Sequence, residues 1–116
     1  MSNITYLTNR SQFIEFKSQH KVVIVKAEAT WCGPCKRIKT EVYDLFDALQ
    51  KKVSNAQLVI VDTDQGSNLA SYLRIKSIPT LISFINGDMI DVHMGSNKNE
   101  LNDFFNKIYN ELLQNN

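Results

Sequence analysis

The sequence predicts an α/β domain in which a central mixed five-stranded sheet is flanked by four helices, in the order β-α-β-α-β-α-β-β-α. Three observations carry this expectation. Val22–Val25 and Leu58–Val61 are continuous, largely β-branched runs, as expected of strands covered on both faces. Amphipathic helical stretches alternate with these runs, which places helices on both sides of the sheet and makes the first connections parallel crossovers. Finally, Asn86-Gly87-Asp88 separates Thr80–Ile85 from Met89–Met94, the signal of an antiparallel hairpin.

Each element has its own justification. Ile4–Leu7 is a short, partly alternating stretch and reads as a weak strand. Ser11–Ser18 carries Phe13, Ile14 and, more weakly, Phe16, which suits a short amphipathic helix. From Pro34 to about Lys52, the apolar residues Ile38, Val42, Leu45, Phe46 and Leu49 form one helical stripe. Asn68–Leu73 is a short helix after Gly66. Asn97 caps a last helix whose stripe is Leu101, Phe104, Phe105, Ile108 and Leu112. The terminal Gln114-Asn115-Asn116 is expected to fray.

Composition bounds the function. The 116 residues include 13 Lys+Arg and 12 Asp+Glu, a net charge of +1, and 43% are hydrophobic. This length fits a single domain, residues 1–116, which buries roughly 65% of its unfolded surface without staples. The charge balance argues against a nucleic-acid or membrane-surface binder, since both need a clustered positive field. The first residues lack a basic start followed by a long apolar run, and no apolar stretch is long enough to cross a bilayer. A cytoplasmic protein is therefore expected, the alternative being a secreted chain that has lost its signal. The two cysteines, Cys32 and Cys35, are too few for a disulfide scaffold. The two histidines, His20 and His93, are distant in sequence and read as surface residues, so no metal site is expected. Asp62 and Asp64 read as loop chemistry at a strand end.

Trp31-Cys32-Gly33-Pro34-Cys35 lies between a buried strand and a helix. This placement puts the Cys32 sulfur beside unpaired backbone N–H groups, which favour the thiolate and mark it as the nucleophile. Cys35, inside the first turn, is expected to be more covered and to serve as the resolving thiol. Two intervening residues let the sulfurs close a disulfide. Pro34 suits the first helical position, and Gly33 leaves the sulfur open to another backbone. Trp31 reads as an exposed apolar platform beside Cys32. Half of a zinc knuckle is the competing reading of the cysteines.

With these residues the chain resembles the thioredoxin family along nearly its whole length. The pentapeptide matches that family's active-site motif residue for residue. Ser77-Ile78-Pro79-Thr80, with Pro79 placed 44 residues after Cys35, resembles its cis-proline loop. The Asn86-Gly87-Asp88 turn and Gly95 match as well. The resemblance implies a thioredoxin fold, a cis Pro79 facing Cys32, and a shallow apolar groove lined by Trp31, Gly33, Pro34, Ile78, Pro79 and Gly95. Proline there offers no N–H and leaves its neighbour's backbone free to pair with an extended substrate. An ordinary trans proline opening a strand is the alternative. The resemblance further implies a monomer that acts on protein disulfides, binds no cofactor itself, and is re-reduced by a flavin-dependent thioredoxin reductase using NADPH.

Two positions depart from the family. Where most members carry a buried aspartate, six residues before the first cysteine, this chain has Lys26. Glu28 shares its strand face and joins it beneath Cys35. The expectation is a partly buried ion pair in which Glu28 accepts the proton of Cys35; Lys26 taken alone favours the thiolate and so a more oxidising protein, and Glu28 opposes that effect. In the competing reading Lys26 reaches solvent and Glu28 is an exposed strand end. Where the family often has a helix-bending proline, this chain has Thr40, which predicts a straighter helix. Lys36-Arg37 adds positive charge near the thiols, or is simply a solvated helix face.

The leading functional expectation is thus a thiol–disulfide oxidoreductase acting on protein substrates. The second reading is a binding or assembly subunit of the same fold, kept open by Lys26 and Glu28. A third is an oxidant or isomerase in an oxidising compartment.

Overall fold

A computed structural model describes residues 3–114. The elements are β1 (Ile4–Tyr6), α1 (Arg10–Ser18), β2 (Val22–Glu28), α2 (Gly33–Arg37), α3 (Lys39–Lys52), β3 (Ala56–Asp62), α4 (Ser67–Tyr72), β4 (Thr80–Ile85), β5 (Asp88–Met94) and α5 (Lys98–Gln114). One five-stranded sheet runs in the order β1-β3-β2-β4-β5. β1 and β2 are parallel to β3, whereas β4 is antiparallel to β2 and β5 to β4. The crossovers and the hairpin are those expected from the sequence. Asn115 and Asn116, part of the stretch expected to fray, lie outside the described residues.

Strand parity sorts the core into two layers. Val22 and Ile24 of β2 face α3 and α5, packing with Val42, Phe46, Leu49, Leu101, Phe104 and Ile108. Val23 and Val25 face the opposite way, toward Phe13 of α1 and Leu69 of α4. This alternation explains why the strand had to be apolar at consecutive positions. The two residues of the Asn86-Gly87 turn have positive φ, 52° and 86°, the geometry that lets a two-residue turn follow the strand twist. Asn97 Oδ1 accepts the Glu100 N–H at 2.9 Å and so opens α5 as expected.

The expected straight helix, and with it the count of four helices, needs correction. The helix breaks at Ile38, whose φ and ψ are −98° and 1°, so there are five helices. No proline is involved. The Cys35 carbonyl, which a continuous helix would offer to the Lys39 N–H, receives the Lys26 ammonium at 3.4 Å. Ile38 turns fully into the core at the break.

A second correction concerns His93, which is buried with only 6% exposure. It pairs with Leu81 across β4–β5, on the face that α5 covers. Its Nε2 lies 3.0 Å from the Gly95 carbonyl and its ring faces Phe104. The core also holds Ser83, whose buried hydroxyl has no hydrogen-bond partner among the described residues. An unpartnered buried hydroxyl is unfavourable, so Ser83→Ala is expected to leave stability unchanged or to raise it by about 1 kcal/mol, as read from thermal unfolding.

Arg74, just after α4, has φ +59°. The Ile75 N–H donates to the Ala70 carbonyl at 3.0 Å, which closes the helix in the manner usually served by glycine. A side chain in this conformation costs about 1 kcal/mol relative to glycine.

Candidate active site

The site sits at the end of β2, the middle strand of the sheet. Every β2 residue from Val22 to Ala27 is buried, so the chain leaving it is held firmly. Cys32 N–H donates to the Ala29 carbonyl at 3.1 Å, which fixes the turn into α2. Cys32 is then the N-cap of α2, with its sulfur accepting the Cys35 N–H at 3.2 Å. Pro34 occupies the first turn, where its missing N–H is harmless. α2 has five residues, too few for a large dipole. Stabilisation of negative charge on Cys32 therefore comes mainly from the local N–H groups.

Cys32 and Cys35 are joined as a disulfide, with their Cα atoms 5.3 Å apart. The expected difference in cover is not there: Cys32 is 3% exposed and Cys35 is 2%. Both pack with Ala29 and against Ile78. The disulfide consumes both thiols, leaving no free cysteine among the described residues, and no metal-holding cluster occurs among them either.

Of the distant neighbours named from the sequence, Ile78 packs against this pair. The Ile78–Pro79 bond is cis. Gly95 N–H donates to the Pro79 carbonyl at 2.9 Å, which ties the start of the last loop to the proline loop. Gly95 has φ +98° with open space where a side chain would be, so its backbone demands glycine. Gly33 differs: a methyl there would meet only the Arg37 guanidinium, at an ordinary 3.7 Å. Nothing among the described residues requires glycine at this position.

Trp31 is 67% exposed and stands beside Cys32. Its Nε1–H donates to Asp64 Oδ2 at 2.9 Å, a partner that sequence reasoning missed. Asp62 Oδ1 accepts the N–H groups of Asp64 and Gln65, the expected loop chemistry. The Trp31 contact carries no local signal in the sequence and follows from the strand register. Glu28 pairs with Asp62 in parallel register, so the residues following the two strands emerge side by side.

Lys26 and Glu28 meet as expected: Lys26 Nζ lies 2.6 Å from Glu28 Oε1. Lys26 is 1% exposed and does not reach solvent, while Glu28 is 27% exposed. With its second donation to the Cys35 carbonyl, the ammonium is pinned directly behind Cys35. A cleft of about 230 Å³ opens here, lined by Lys26, Glu28, Ala29, Thr30, Cys35, Lys36 and Lys39. It connects Cys35 and the Glu28 carboxylate to water. Tyr43 lies close enough to feel this carboxylate. Burial first, then Tyr6 and Glu28, hold its phenol above the ordinary value of 10.0. A roomier cavity, about 630 Å³ and lined in part by Lys17, Lys21 and Gly87, lies at the opposite end of the sheet, remote from the cysteines.

Comparison with known proteins places this geometry. The family model described as Thioredoxin matches residues 4–107. The chain is 38% identical to a thioredoxin of Homo sapiens over 88 residues, 76% of this chain and 80% of the relative. It is 36% identical to a thioredoxin of Mycoplasmoides gallisepticum over 97 residues, 83% of this chain and 93% of the relative. Among solved structures, Plasmodium falciparum thioredoxin superposes with a TM-score of 0.74 at 31% identity, covering 89% of this chain and 97% of that one.

Proposed function

Because the chain belongs to the thioredoxin family and is a protein-disulfide oxidoreductase, we propose the following division of labour among its residues. Cys32, as thiolate, attacks one sulfur of a substrate disulfide. A Cys32–substrate disulfide forms, and the other substrate sulfur leaves as a thiolate that takes up a proton. Cys35 then loses its proton and attacks the Cys32 sulfur. The second substrate sulfur leaves, and the Cys32–Cys35 disulfide remains. Two electrons and two protons pass to the substrate in all.

The Cys35 N–H held against the Cys32 sulfur supports the assignment of Cys32 as nucleophile. The cleft shared by Cys35 and Glu28 supports Glu28 as acceptor of the Cys35 proton, with Lys26 holding that carboxylate in place. Trp31, Gly33, Pro34, Ile78 and Gly95 form the surface on which an extended substrate segment lies, while Pro79 is itself buried and shapes the loop whose preceding backbone pairs to that segment. A thioredoxin reductase drawing on NADPH through its flavin returns the disulfide to the dithiol, so this chain needs no cofactor of its own. All side chains of the site come from one copy, which suits a monomer. Among the described residues no helix is long and apolar enough to cross a membrane. A cytoplasmic setting agrees with spending both cysteines on exchange and none on structure.

The single observation that carries this reading is the Cys32–Cys35 disulfide at the cap of α2, facing the cis-proline loop. Insulin reduction coupled to a thioredoxin reductase and NADPH tests it. Steady turnover is expected. Tight partner binding that survives replacement of both cysteines by serine, without turnover, would instead favour the assembly-subunit reading.

A further inference from the structure

β5 is an edge strand, and the fold treats its two faces differently. His93 faces inward under α5. On the other face Met94 pairs with Thr80 and Val92 with Ile82, beside the segment that follows α4. Met89, Val92 and Met94 are 61%, 42% and 64% exposed. Together with Leu73, Ile75 and Ile82 they line an apolar groove of about 280 Å³.

Two further observations say what this groove takes. First, it runs directly out of the redox site. Thr80 and Met94 line its end, and they are the chain neighbours of Pro79 and Gly95, which are themselves hydrogen-bonded. Whatever lies across Pro79 therefore continues toward the groove. Second, its rim is basic. Arg74 and Lys76 line it, both are exposed, and neither belongs to the ion pairs found among the described residues. Arg74 keeps a long charged side chain in a left-handed conformation that glycine would hold without strain. Its side chain makes no hydrogen bond or ion pair within the described fold that would account for arginine there.

We propose that this groove is a second docking site for the protein substrate, one that selects among disulfides. Its occupant is an extended segment flanking the reacting cysteine, with a bulky apolar side chain next to carboxylates. The apolar side chain seats among Met89, Val92 and Met94, where unbranched methionines adapt to varied shapes. The carboxylates meet Arg74 and Lys76. Docking through side chains beyond Pro79 lowers KM for such substrates and leaves the chemical step unchanged.

This inference rests on the oxidoreductase reading, and the experiment separates the two. Fluorescent peptides with serine in place of the reacting cysteine are titrated against the wild type, so that binding is read without redox chemistry. One carries Leu-Asp-Glu beyond the serine, one Leu-Lys-Lys and one Ser-Asp-Glu. The first is expected to bind about fivefold more tightly than either of the others, with a preference over Leu-Lys-Lys that fades at high salt. Arg74→Gly should remove most of that charge preference while raising Tm by about 2–4 °C through relief of backbone strain. A residue present only for structure would not lose binding as it gains stability. Met89→Glu should weaken the first peptide and leave the rate with oxidised glutathione, too small to reach the groove, unchanged. Equal affinities for the three peptides, or an undiminished preference in Arg74→Gly, would overturn the docking site. Loss of turnover with both insulin and oxidised glutathione would strike the oxidoreductase reading instead, whatever the peptides do.

Discussion

Cys35→Ser is expected to stop turnover while leaving the first attack intact, so that the protein accumulates as a mixed disulfide with its substrate through Cys32. The reason is geometric. Cys35 lies one helical turn from Cys32, with Cα atoms 5.3 Å apart, and attacks it within one molecule. Well-oriented groups of this kind reach effective concentrations of about 10⁵ M, which no thiol in solution approaches. Steady-state insulin reduction should fall by about a thousandfold or more, and mass spectrometry should find the adduct. Cys32→Ser should lose turnover equally and form no adduct, because the backbone N–H that favours a thiolate is held against the Cys32 sulfur and not against that of Cys35. An adduct on Cys35 in that variant would reverse the assignment. Neither substitution should unfold the protein. Closing so short a loop is worth roughly 2 kcal/mol of chain entropy, so the variants should resemble the reduced wild type in thermal stability.

Lys26→Ala is the second substitution with a large expected effect, and it acts on two observables. It removes a buried ammonium together with the stem that fills the space below α2. Breaking a buried pair costs about 3–5 kcal/mol when the survivor stays dry. Glu28 is 27% exposed and faces the cleft, so water relieves part of that. A loss of about 2–4 kcal/mol is therefore expected, with a smaller loss for Lys26→Met, which keeps the stem. The second observable is the dithiol–disulfide equilibrium. A cation behind Cys35 stabilises thiolate, and hence the reduced form. Glu28 opposes this, but it is the more exposed of the two and is screened more strongly. Lys26→Met should accordingly shift the equilibrium against glutathione toward the disulfide by about tenfold, and Glu28→Gln should move it the other way. Trp31, beside Cys32, gives a fluorescence signal for the titration. If both variants leave the equilibrium where it was, the pair is structural only.

Much of this molecule can be read from its residues. The buried runs, the Asn-Gly hairpin and the stripe of the last helix lead directly to the order of the strands along the chain and to the antiparallel hairpin. The Cys-Gly-Pro-Cys stretch at a strand–helix junction leads to the redox pair. Strand parity puts Lys26 and Glu28 on one face, since residues two apart share it, and leaves open whether they meet or turn to solvent. The features that escape prediction are those decided by distant neighbours. His93 looks like a surface residue because nothing local reveals that α5 covers one side of an edge strand and not the other. The break at Ile38 carries no proline or glycine signal. It arises where a lysine from another element meets a helix carbonyl. Trp31 and Asp64 meet only because β2 and β3 run parallel in one particular register. The left-handed Arg74 sits in Leu73-Arg74-Ile75, a stretch with no turn residue to announce it.

The redox motif hangs from β2, the middle strand of the sheet, with neighbours on both edges and buried side chains on both faces. This has a consequence for who bears the loss of freedom when two proteins meet. The platform is already ordered, so little of its own entropy is spent on binding. A partner's extended segment gives up about 1–2 kcal/mol per residue when it is straightened against the proline loop. That loss keeps each encounter weak and brief. A substrate with no segment for the groove beside Met94 is then held mainly through the covalent bond it makes. Once Cys35 has broken that bond, little remains to delay departure, and the next disulfide can take its place.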